Sequence, residues 1–187
     1  MSQTQRWAHY LTLLFSVLAL FVGINLRDST LNATVAYVNV QAGISASYPR
    51  NWLLDQAPDY VFRVRDMTQP GFKTTIQVAV RPVSEDTSVR NVLDALALNR
   101  AQTLDGYNII GVEPYVLPDE TRAIRVLSTY VDTEANPFLQ GVPVSVEAID
   151  VVAIKGGQAI IITFISDAQL FDINLPIFEQ FLLDLEF

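Results

Sequence analysis

The sequence predicts an α+β domain, a largely antiparallel sheet accompanied by helices, behind one N-terminal transmembrane helix. Three observations carry this. An uncharged apolar run stands near the N-terminus, Leu11 to Leu26. Most of the remaining chain alternates apolar and polar residues with period two, in short runs joined by tight turns. Two stretches, near Val89–Leu104 and at the C-terminus, change to helical spacing. Strands, a helix, strands and a helix in that order describe α+β rather than a doubly wound sheet.

The N-terminal run holds 16 residues, 11 of them Leu, Ile, Val or Phe. At the bilayer centre these favour insertion by roughly 3–6 kcal/mol. Extended back through Tyr10, His9, Ala8 and Trp7 the span reaches 20 residues, the length that crosses about 30 Å of hydrocarbon. Trp7 and Tyr10 then sit at headgroup level, and Leu11, Phe15, Leu18, Phe21 and Leu26 face lipid. A cleaved signal needs a small-residue A-x-A site after its apolar core. "GINLRDSTLNATV" offers none, so residues 1–30 read as a retained anchor and 31–187 as the domain. Ser16, Ala19 and Gly23 give the helix a small-residue face at i, i+3, i+7. His9, the one histidine of the chain, lies within a turn of the membrane edge and reads as interfacial rather than as a deep cofactor ligand.

Within the domain, "TVAYVNVQ" and "ISASYP" are the first strands, with Ile44, Ala46 and Tyr48 on one face. "YVFRVRD" sets Phe62 and Val64 against Arg63 and Arg65. "KTTIQVAVRPV" sends Ile76, Val78 and Val80 inward and Thr75, Gln77, Ala79 and Arg81 outward, a half-buried pattern. The first domain helix opens with Asp86 and Thr87 as caps, carries Val89, Val92, Leu93, Leu96 and Leu104, and stops at Gly106. Strands resume at "NIIGVEPYVL", "TRAIRVLSTYV" and "VPVSVEAIDVVAI". The last returns through Lys155-Gly156-Gly157, where glycine permits positive φ, into "QAIIITFIS", apolar enough to be covered on both faces. The closing helix takes Asn174 as its cap and Pro176 in its first turn, with a stripe of Ile177, Phe178, Phe181, Leu182 and Leu185.

These pieces resemble the PsbP-like superfamily over about residues 40–187. The resemblance rests on "GISASYPRNWLLD" with Tyr48, Pro49 and Trp52, the single helix around Val89–Leu104, the long hairpin, and the terminal "FEQFLLDLEF". The superfamily includes the PsbP subunit of photosystem II, the Ran-binding Mog protein and bacterial DcrB-type envelope proteins. The resemblance implies a sheet with helices packed on its two faces and work done by docking onto other proteins. It brings no catalytic motif. The histidines that handle metal in plant PsbP proteins have no counterpart in this domain, so no manganese or calcium role is carried across.

Composition narrows the chemistry. Half the residues are hydrophobic and 17 % charged, enough to bury a core. There is no cysteine, hence no disulfide, thiolate metal site or cysteine nucleophile. Beyond Thr30 the chain has 10 Lys and Arg against 19 Asp and Glu, a net −9, which repels nucleic acid. Without a domain histidine there is no imidazole general base and no zinc, haem or copper ligand set. No phosphate-cradling glycine motif and no calcium loop occurs. The sequence therefore predicts no catalytic residue, no cofactor and no metal. Carboxylates close in sequence (Asp55, Asp59 and Asp66; Asp119 and Glu120; Asp132 and Glu134) read as solvated loops, and a carboxylate hydrolase would need two buried, converging acids.

One stretch asks for a partner. "YVDTEANPFLQGVPVSVE" puts Pro137, Phe138, Leu139 and Pro143 in an interstrand loop, an apolar tip folded back or offered outward. The sequence thus points to a single-pass bacterial membrane protein with its domain on the extracytoplasmic (periplasmic) side. Its expected role is an accessory or assembly subunit that docks other subunits of a membrane complex, respiratory or photosynthetic by family analogy. The rival is a freestanding envelope protein binding a lipid or small apolar ligand between sheet and helix.

Overall fold

The computed structural model describes residues 3–31, 33–133 and 142–187. The chain divides into two compact units, Met1–Val35 and Ala36–Phe187. The first is essentially one helix, α1 (Gln3–Leu31).

The second unit is built on an antiparallel seven-stranded sheet. Its strands are β3 (Trp52–Ala57), β4 (Tyr60–Asp66), β5 (Thr75–Pro82), β6 (Asp105–Val116), β7 (Arg122–Asp132), β8 (Val144–Lys155) and β9 (Gln158–Asp167), in spatial order β3-β4-β5-β9-β8-β7-β6. β1 (Thr34–Asn39) and β2 (Ile44–Pro49) form a separate two-stranded sheet. Short turns join β3 to β4, β6 to β7 and β8 to β9, and a longer segment joins β4 to β5. Helix α2 (Val89–Thr103) links the two meanders, so β5 and β6 run parallel with three strands between them. The β8–β9 turn uses Gly156 and Gly157 at φ 58° and 74°, the left-handed pair that a two-residue hairpin of matching twist requires.

Both faces of the sheet are covered. On one, Phe62, Val64, Ile76, Val78, Ile149, Val151, Ile162 and Phe164 meet Phe171, Phe178, Phe181 and Leu182 of α3 (Phe171–Leu183). Phe164 stacks on Phe178 at 5.0 Å between centroids, and Tyr48 and Trp52 join this core as packing residues. On the other, Ala79, Val152 and Ile161 lie under α2. This second cover corrects the half-buried reading of β5: Thr75 and Ala79, expected outward, are buried. β9 is apolar on both sides because helices lie on both.

Several boundaries move. Ser88, not Asp86 or Thr87, caps α2: its hydroxyl accepts from the Asn91 amide and the Asn91 side chain returns to the Ser88 amide. Asn in place of the usual Glu or Gln hid this capping box. Leu104 is the extended C-cap, and Gly106 lies inside β6. Asn174 is not a cap but a buried residue of α3, donating to Thr74 Oγ1 at 2.9 Å and Ser166 Oγ at 3.2 Å. Leu170 is the N-cap, which puts Pro176 in the second turn. The chain leaves α3 at Leu183, and Glu186 bridges back to Ser45.

The α2 face holds one feature hydrophobicity does not explain. Asp150, in the middle of β8, is 1 % exposed. Its carboxylate receives both terminal nitrogens of Arg100 from α2, and Thr163 Oγ1, its cross-strand neighbour, donates to it at 2.7 Å. A buried charge of this kind is tolerable only when paired and hydrogen-bonded. Removing one partner by Asp150→Ala should therefore cost about 3–5 kcal/mol in urea unfolding, and adding Arg100→Met should restore most of that loss. Nearby, burial first and Asp132 second push the Tyr130 phenol up to about 12. A phenol raised in the folded state keeps stability intact below the unfolded value of about 10 and loses it between there and about 12. Stability should fall by about 2–3 kcal/mol over that window, and Tyr130→Phe should flatten the fall.

Candidate docking surfaces and membrane anchor

The anchor begins from composition. Residues His9–Arg27 form a span of 19 with mean hydropathy 1.8, none of it buried inside the protein. An α-helix satisfies its own backbone, so such a segment can lie in hydrocarbon with only side chains facing lipid. Trp7, Tyr10, Leu11, Phe15, Leu18, Phe21 and Leu26 are all exposed, Phe15 and Phe21 to 72 % and 71 %. Nothing lies within 4 Å of a methyl placed on Gly23, leaving the small-residue face free.

Of the interstrand loop, Pro137, Phe138 and Leu139 lie outside the described residues. Pro143 is exposed at the entry to β8, next to Val142 at 82 % exposure. At the sheet edge, β6 carries exposed Ile110, Val112 and Val116. An edge strand presents unpaired backbone groups, and here Pro114 and the irregular register at Ile109/Gly111 interrupt it.

Among the described residues the carboxylates do not assemble into a reactive pair. Asp55 accepts from Arg63 at 2.6 Å, Arg65 at 3.3 Å and the Tyr60 hydroxyl at 3.1 Å. The Arg63 hydrogen bond, against some desolvation, holds its carboxyl below the usual range. Asp119 is lowered in the same way by Lys155 at 2.7 Å. Among the described residues the two buried acids are Asp66 and Asp150. Asp66 continues the Phe62–Val64 face and accepts from the Thr68 amide and hydroxyl, while Asp150 lies on the α2 face with Arg100. Opposite faces of one sheet cannot converge on a substrate. No group of three His, Cys, Asp or Glu is placed to hold a metal among the described residues.

Two open grooves flank the helices. One of about 390 Å³ lies between β1–β2 and the end of α3, with Ser45, Ser47, Asp184 and Glu186 at its wall. The other, of about 460 Å³, runs between α2 and the β5–β9 part of the sheet. Leu93 of α2 is buried, and Val92 and Leu96 are half-buried, packed against Ala79, Val152 and Ile161 while also lining this groove. Sequence reading missed the Arg100–Asp150 pair and this groove. The one available signal was the aspartate inside the apolar run "EAIDVVAI", a charge that must find a partner if the strand is central.

No family model and no curated protein matches the sequence. Solved structures do match the fold. PsbP (CyanoP) from Synechocystis sp. PCC 6803 aligns with TM-score 0.61 at 14 % identity, covering 82 % of this chain and 92 % of that one. LpqN of Mycobacterium tuberculosis, involved in cell envelope biogenesis, gives 0.56 at 15 %, with 82 % and 89 % covered. The Saccharomyces cerevisiae Ran-binding protein Mog1p gives 0.53 at 8 %, with 82 % and 95 % covered. The domain has the PsbP-like fold that its sequence resembles, and an apolar N-terminal helix precedes it.

Leu18→Arg, at the middle of the span, should shift insertion by about 3 kcal/mol against the bilayer and move the protein toward the carbonate-extractable fraction. Tyr10→Arg, at the edge, should leave it membrane-bound.

Proposed function

We propose that this chain is a non-catalytic, single-pass accessory or assembly subunit of a bacterial membrane protein complex. Residues 1–30 are the anchor, and 31–187 the docking domain on the extracytoplasmic side. The observation that carries the reading is α1: its apolar span is wholly exposed, and β1 follows within three residues of its end. So short a tether holds the domain at high effective concentration for partners in the same membrane. The PsbP-like fold supports docking as the mode of action, and the likeness to CyanoP favours an electron-transfer complex of the photosynthetic or respiratory kind. The likeness to LpqN favours the envelope. The absence of converging acids among the described residues weighs against hydrolysis.

The docking element is the loop bearing Pro137, Phe138, Leu139 and Pro143. The neighbouring Val142 is apolar and exposed. A photocrosslinking benzoylphenylalanine at position 138, activated in native membranes, should yield one dominant adduct with a membrane-complex subunit. Phe138→Asp should leave the circular dichroism and melting temperature of the domain unchanged while removing that partner from a pull-down. A drop in melting temperature with partner binding intact would instead make Phe138 a core residue.

A further inference from the structure

We propose that the groove between α2 and the sheet is a binding site for a small amphiphile: an alkyl or acyl chain ending in a carboxylate or phosphate. This goes beyond the docking reading and does not depend on it. The volume of about 460 Å³ falls within the range of small-molecule sites, roughly 300–1,000 Å³.

The groove has a structural cause. The C-terminal end of α2 is pinned to the sheet by Arg100 on Asp150. Its N-terminal half packs on Ala79, Val152 and Ile161 through Val89, Val92 and Leu96, and the groove runs along this contact past Ala159. Along the floor β9 is paired on both sides and β5 with β9, while β5 meets β4 only from Thr75 to Val78, so the groove is lined chiefly by side chains. Those are apolar: Ile161 and Ala159 below, with Val92, Ala95 and Leu96 of α2 as the wall. Such a surface suits a hydrocarbon chain.

The charge on the groove's lining has one sign. Arg81, Asn91 and Asn99 line it and no carboxylate does, although the domain carries −9. Arg81, like Arg50, Arg90 and Arg122, has no acidic partner among the described residues, and of these four it is the one that lines the groove. A free guanidinium at the mouth of an apolar groove is a fork for a carboxylate or phosphate oxygen pair. The second groove supplies an internal contrast. It is of similar size but carries Asp184 and Glu186, and it would repel the same ligand.

The test uses the full chain held in amphipol, which provides no bulk micelle for the probe to enter. A diazirine-bearing decanoate is photolysed with increasing decanoate, decanol, decyl phosphate or decanoyl-lysophosphatidate as competitor. Labelling that saturates should map to peptides containing Val92–Leu96 and Ala159–Ile161. Decanol should compete about tenfold more weakly than decanoate, the loss of one charge-assisted hydrogen bond. Arg81→Gln should erase that difference, and Leu96→Trp should remove the saturable labelling. Stronger competition by the lysophosphatidate than by decanoate would assign the site to a lipid headgroup; the reverse order would assign it to a free acid. Either supports the site. Unsaturable labelling, label confined to α1 or the acidic groove, or equal competition by decanol and decanoate would overturn it. Since Arg81→Gln lies on the rim, its reading stands even if the tryptophan variant fails to fold.

Discussion

The β8–β9 hairpin is the interaction on which the rest of the domain depends. Ten residue pairs from Val146↔Asp167 to Lys155↔Gln158 zip together at the centre of the sheet. Its outer edges then accept β5 on one side and β7 on the other, so the two meanders become one sheet only through this contact. Side chains on its two faces recruit the helices by different means. Ile160, Ile162 and Phe164 offer α3 a wide apolar platform. Asp150 and Thr163 offer α2 a charge and a hydroxyl.

That difference sets the character of the two faces. Burial of phenylalanines under α3 removes much apolar surface from water and is non-directional, so it stabilises without demanding one geometry. Asn174, hydrogen-bonded to Thr74 and Ser166 within this layer, adds the register that apolar contacts leave loose. Under α2 the order is reversed. The buried ion pair fixes where the helix ends, while its desolvation cost offsets much of its own attraction. Apolar contact there is thin, and a groove remains. The α3 layer gives the domain its stability, and the α2 layer gives it an opening.

Most of the architecture was legible in the sequence, for reasons that can be named. Period-two alternation in "YVFRVRD" and "TRAIRVLSTYV" and the Gly-Gly turn reported strands because one face of each is core and the other is not. Apolar continuity in "QAIIITFIS" reported a strand covered twice. What failed was position within an element. Asn174 reads as a cap because asparagine usually is one, yet tertiary partners a hundred residues away in Thr74 claim its amide. Val92 and Leu96 do face the sheet and pack on it, but half-buried, because helical spacing reveals which face is apolar and not how tightly it is pressed down. The Arg100–Asp150 contact spans fifty residues and leaves no local pattern. The resemblance found in Tyr48, Pro49, Trp52 and the terminal helix proved a good guide to fold, and these residues are packing residues with no chemistry of their own.

Function divides along the same line. α1 and the domain are separate units, and each is intelligible by itself: an exposed apolar helix long enough to span a bilayer, and a body of PsbP-like fold with its own apolar core. That the chain works by holding this body against partners in its own membrane is tested most directly by native mass spectrometry. The full chain, tagged at its C-terminus, is released from native membranes in mild detergent. Stoichiometric complexes with integral membrane subunits, with α1 present in the weighed chain, are the predicted result. A species free of partners that survives intact in the detergent would contradict it.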